Sequence, residues 1–114
     1  MDFQKQKPIY LQIADRLMEQ ILGGQVDDRM PSVRDVAALM GVNPNTVVRT
    51  FDHLQTAEII YNRRGVGYFV SADAKERILA AQRREFLDVE LPLIRRRIKT
   101  LGITPDELLN VLKE

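Results

Sequence analysis

SVRDVAALMGVNPNTVVRTFDHL, residues 32–54, carries two helices in series. Ser32 stands where a side-chain oxygen can cap the first, with Asp35 three residues on as a weaker form of the capping box. Val33, Val36, Ala37 and Met40 give that helix one apolar face, and Gly41 ends it in a left-handed position. Asn43 is a good cap and Pro44 a good first residue for the helix that follows. Its inward face is Val47, Thr50, Phe51 and Leu54, which leaves Asn45, Thr46, Val48, Arg49, Asp52 and His53 facing outward. Two helices joined by a turn of about three residues containing glycine, the second polar on its outer edge, predict a helix-turn-helix.

In that arrangement the second helix lies in the major groove and its first turn meets base edges. Short or forked polar side chains are then needed outside, and an apolar face inside. Asn45 suits adenine, Arg49 suits guanine, and Thr46 suits a phosphate or a base. Amides at the helix N-terminus suit a phosphate as well.

Working outward, residues 8–23 form an upstream helix with Ile9, Ile13, Leu17 and Ile21 in one stripe and Tyr10 and Ala14 beside it. Pro8 suits its first turn and Gly23-Gly24 stops it. A polar loop runs from Gln25 to Met30. Downstream, Ile59-Ile60-Tyr61 and Tyr68-Phe69-Val70 are β-rich runs flanking Asn62-Arg63-Arg64-Gly65-Val66-Gly67, which predicts a hairpin with a basic tip. Placed one helix and one strand after the helix pair, this is how a wing reads. Its arginines, Arg63 and Arg64, suit the sugar-phosphate backbone or the minor groove. Tyr10, Phe51 and Phe69 are expected in the core of this domain.

Composition bounds the rest. The chain has 114 residues, 45% apolar and 29% charged, with a formal net charge of +1. Net charge alone is silent on nucleic acid, but residues 29–70 carry five arginines against three acidic residues. With no cysteine there is no disulfide framework or thiolate metal site, and the single histidine, His53, reads as a surface residue. No cofactor is expected. No apolar run nears the roughly 18 residues of a membrane span. MDFQKQKPIY lacks the apolar core of a signal peptide, so a cytoplasmic protein with no membrane partner is expected. Paired carboxylates, a nucleophile–base pair and a phosphate-cradling glycine loop are all missing from the pattern, so an enzyme is not expected.

The stretches PIYLQIADRLMEQILGG, MPSVRDVAALMGVNPNTVVRTFDHL and RRGVGYFV place residues 8–70 in close resemblance to the winged helix-turn-helix domain of the GntR superfamily of bacterial transcription regulators. The resemblance covers a little over half the chain. It implies DNA contacts from Arg34, from Asn43, Asn45 and Thr46, and from Arg64, Gly65 and Gly67 in the wing. Many relatives carry arginine where this chain has Val48, and some where it has Pro44, so the operator does not transfer from other members. The short tail resembles the YtrA-type subfamily, whose small members dimerise through about two C-terminal helices and typically repress operons encoding ABC-type transporters.

The tail supports pairing on its own terms. Residues 73–101 are helical by composition, with Leu87, Leu91, Ile94, Ile98 and Leu101 spaced as a heptad-like seam. Pro92 predicts a kink or break. Thr104-Pro105-Asp106-Glu107 starts a last helix over 105–113, carrying Leu108, Leu109, Val111 and Leu112. Arg95-Arg96-Arg97 lie off the seam and read as a solvated face. The first helix is about 43 Å long if continuous and the second about 13 Å, so the second cannot cover the seam. A two-fold copy of the same tail can, with Leu108 and Leu112 contributing.

The expected architecture is mainly α (α+β): a winged helix-turn-helix domain over 1–71 and a helical dimerisation region over 72–114. The expected function is a sequence-specific transcription regulator, a repressor binding a palindromic operator in double-stranded DNA as a homodimer. The alternative is a winged-helix protein–protein interaction module, which calls for an apolar patch where Asn45, Thr46 and Arg49 stand. An unidentified small-molecule effector has no residue set of its own here.

Overall fold

The computed structural model describes residues 7–114. The architecture is mostly helical with one small sheet, the winged helix-turn-helix arrangement followed by a helical region. Helix α1, Ile9–Leu22, begins at Pro8, whose backbone is extended and whose carbonyl accepts from the Leu11 and Gln12 N–H groups at 3.1 and 3.2 Å. Proline therefore sits at the cap rather than in the first turn. The buried stripe is Ile13, Ala14, Leu17, Met18 and Ile21. Ile9, expected at its head, is 55% exposed, because the stripe starts one turn later.

Helix α2, Val33–Met40, opens as its sequence requires, with the Ser32 hydroxyl oxygen accepting from the Asp35 N–H at 3.0 Å. Gly41 closes it at φ 66°, a conformation that costs a residue with a Cβ. Helix α3, Pro44–Thr56, is capped by the Asn43 side-chain oxygen, which accepts from the Asn45 N–H at 2.8 Å. Val47, Thr50, Phe51 and Leu54 are fully buried. Thr50 brings a hydroxyl into this core and satisfies it locally, lying 2.8 Å from the Tyr10 carbonyl and 3.1 Å from that of Thr46.

Strands β1, Ile60–Arg63, and β2, Gly67–Val70, pair antiparallel from Ile60↔Val70 to Arg63↔Gly67. Pairing thus extends through Asn62 and Arg63, beyond the apolar runs, and the tip shortens to Arg64-Gly65-Val66. The segment read as a polar loop contributes too. Arg29 bridges Phe69, with the Met30 N–H donating to the Tyr68 carbonyl at 2.8 Å and the Val70 N–H to the Asp28 carbonyl at 2.7 Å.

This compact unit ends at Ala80, and a second spans Ala81–Glu114. Compaction continues beyond β2 because Ala74 and Ile78, on helix α4 (Ala74–Glu85), belong to the first core. Arg77 on the same helix pairs with Asp73 at 2.8 Å and Glu58 at 3.0 Å. Glu58 itself holds φ at 60°, the only non-glycine residue with positive φ among the described residues.

The helical chain does not break at Pro92. A π-helical turn, Phe86–Glu90, precedes helix α5, Leu91–Thr100, and the Leu91 N–H donates to the Phe86 carbonyl. The bond from Leu91 thus spans five residues, and a π turn is one way a helix accommodates a proline ring that would strike the carbonyl four residues back. Helix α6, Pro105–Leu112, carries a complete capping box between Thr104 and Glu107. No residue from 81 to 114 is buried. Leu87, Leu91, Leu101 and Leu112 are exposed, and Ile94, Ile98 and Leu108 half-buried. Among the described residues no helix is long and apolar enough to cross a membrane.

Candidate nucleic-acid interface

Because Val47, Thr50, Phe51 and Leu54 pin α3 by one side, its other side is fixed in space. Asn45, Val48, Arg49, Asp52 and His53 are exposed there and Thr46 is half-buried. Asn43 is exposed, with its side-chain oxygen engaged in the cap. Arg34 is exposed at the second position of α2. This face is polar, apart from Val48 at 42% exposure.

Arg49 is already engaged. Its guanidinium carbon lies 4.1 Å from the centre of the Tyr10 ring, a cation–π contact between α3 and α1. His53, one turn further along α3, meets the same ring edge-on with centroids 6.1 Å apart. Tyr10, expected as a core residue, is instead a half-exposed platform anchored through its carbonyl to Thr50. A guanine contact by Arg49 would require it to leave that platform or to reach past it, whereas a phosphate contact suits an arginine laid flat on a helix flank.

The hairpin carries the second basic group. Arg63 lies with its guanidinium carbon 4.9 Å from the Phe69 ring centre, and Tyr61 stacks on that ring at 5.9 Å. Phe69 is buried, as expected, and so anchors the side chains above it. Arg64 and Gly65 form the exposed tip, Gly65 at φ 78° and Gly67 at φ 140°. Arg29, in the polar segment ahead of α2, donates from Nη2 to the Val66 carbonyl at 2.6 Å. Its sequence signal was faint: an arginine immediately ahead of the Met-Pro-Ser that opens the helix pair.

Arg29, Arg34, Arg49, Arg63 and Arg64 are all exposed. Of the three acidic residues among them, Glu58 is paired with Arg77, which leaves Asp35 and Asp52 to offset the five. The chemistry on offer is phosphate neutralisation around a short polar reading edge. Among the described residues no group of three or more histidine, cysteine, aspartate or glutamate side chains is placed to hold a metal ion.

Comparison with known proteins matches residues 9–70 to the model of the bacterial regulatory proteins of the gntR family. An uncharacterised helix-turn-helix-type transcriptional regulator of Bacillus subtilis, YhcF, is 36% identical over 115 residues, spanning 97% of this chain and 92% of that one. The transcriptional repressor YtrA of the same organism is 38% identical over 77 residues, 66% of this chain and 59% of its own. A solved structure from Bacteroides thetaiotaomicron, assigned to the GntR family of transcriptional regulators, superposes with a TM-score of 0.80 at 42% identity, covering 93% of this chain and 94% of that one.

Proposed function

The chain belongs to the GntR family of bacterial regulatory proteins, and from that premise we propose that it is a sequence-specific repressor that grips a palindromic operator as a homodimer. DNA-binding regulation of transcription is the family's work, and its members are regulators rather than enzymes. The observation that carries the finer reading is the mainly polar outer edge of α3, with exposed Asn45 and half-buried Thr46 at its start and its inward side of Val47, Thr50, Phe51 and Leu54 wholly buried.

Pairing is supported by the second unit. A helical segment of 81–114 with no buried residue, presenting Leu87, Leu91, Leu101 and Leu112, has no core of its own until something covers it. A second copy is the simplest cover, and two recognition helices on a two-fold axis match half-sites about one helical turn or more apart. Repression and the YtrA-type assignment draw support from the similarity to YtrA, a named repressor, and from the short helical tail. On the resemblance to that subfamily we assign its target to a transporter operon of the ABC type, and its place of work to the compartment that holds the chromosome.

Selection of bound fragments from genomic DNA by the full chain, followed by sequencing, tests this. The expected result is one inverted repeat, enriched upstream of a transporter operon. Recovery without sequence preference would overturn the specific-repressor reading. Sedimentation is expected to give a dimer, and a monomer at tens of micromolar would overturn the pairing.

A further inference from the structure

Arg29 stands at the foot of the hairpin, yet its side chain reaches the tip. Its backbone is fixed by the bridge to Phe69. Its guanidinium runs alongside β2, 5.9 Å from the Phe69 ring centre, and donates to the Val66 carbonyl. It lies over Gly67, where a Cβ would meet Nη2 at 3.5 Å and Nε at 3.6 Å. The tip itself is weakly held: Arg64-Gly65-Val66 is closed by the Val66 N–H donating to the Arg63 carbonyl at 2.9 Å, with a glycine at its centre.

We propose that Arg29 is a positioning residue for DNA binding, acting through the hairpin tip rather than on the duplex. A charge-assisted hydrogen bond between a rigid foot and the far arm of the turn removes freedom that the tip would otherwise lose on binding. Arg64 and Gly65 are thereby presented to the phosphate backbone in one conformation. This rests on the reading of the hairpin as a DNA-contacting wing, so its test needs one readout without DNA.

In the full-length chain, backbone amide relaxation of Gly65, Val66 and Gly67 is measured for wild type, Arg29→Ala, Arg29→Lys and Arg64→Ala. The tip is expected to become mobile on the nanosecond scale in Arg29→Ala alone, with the amides of Val47, Phe51 and Leu54 unchanged as a check on the fold. Lysine, which keeps one donor, is expected to restore part of the order. Affinity for a mixed-sequence duplex at low salt is then read in a double-mutant cycle. Arg29→Ala is expected to weaken binding about tenfold in the wild-type background and to change it less than about twofold when Arg64 is already alanine. A tip equally rigid in Arg29→Ala overturns the proposal, as does full additivity, which would make Arg29 an independent phosphate contact. Failure of the wild type to bind the duplex at all would sink the wing reading instead, and the relaxation data would still decide whether Arg29 orders the tip.

Discussion

At the scale of single residues, the proposed function assigns reading and gripping to different side chains. Asn45 presents an amide from the first turn of a helix whose other face is immovable, so Asn45→Ala is expected to cost about 1–3 kcal/mol on the cognate site and to relax the preference at one base pair. Arg64→Ala removes a tip charge; all sequences are expected to weaken alike, and the slope of log affinity against log salt to flatten by about one unit. Binding isotherms on matched and mismatched duplexes separate the two. Glu58 makes a different point. Its left-handed backbone costs roughly 1–2 kcal/mol, and its exposed pair with Arg77 returns little of that. Thermal melts are therefore expected to rank Glu58→Gly above wild type and Glu58→Ala below it. Which residues could be read from the sequence follows the same division. The outward placement of Asn45 was legible because cap and spacing fix which way it faces; Thr46 beside it is half-buried. The stacking of Arg49 on Tyr10 and the reach of Arg29 to Val66, 37 residues away, were not, because no local pattern encodes where a long side chain comes to rest across the fold.

At the scale of elements, legibility tracks local hydrogen bonding. Ser32, Gly41, Asn43 and Thr104 each act on backbone groups within a few residues, and each end they mark stands where the sequence put it. The strands ran longer than their apolar runs because Asn62 and Arg63 pair through backbone, which side-chain alternation does not report. The π turn went unseen because nothing in FLDVE distinguishes a bond five residues back from one four back; only Pro92 marked the neighbourhood. The capping box of α6 yields a pH prediction. Hydrogen bonds from the Thr104 N–H, then from its hydroxyl, hold the Glu107 carboxyl below its ordinary range. A depressed folded-state value means the cap's contribution is present above the unfolded value and fades as pH falls through the lower, folded one. Carboxyl NMR is expected to show Glu107 titrating below an unstructured glutamate, and in Thr104→Ala, which loses the hydroxyl but keeps the N–H, to move only part of the way back.

At the scale of the whole molecule, residues 7–80 bury a core and residues 81–114 do not. The second unit is then expected to gain its order with assembly, so that apparent stability rises with protein concentration. Ile98→Asp, which places a charge on the half-buried line of α5, is expected to give a monomer by sedimentation and to reduce operator affinity sharply, while the melting of the winged unit is retained. An unchanged dimer would move the interface elsewhere. The coreless tail also has a genetic consequence. On the proposed pairing through the tail, a copy with a ruined reading edge but an intact tail would still seek out sound partners and spoil them, so such an allele would be dominant in a cell carrying both. One truncated ahead of Ala81 would have nothing to recruit with, and would be recessive.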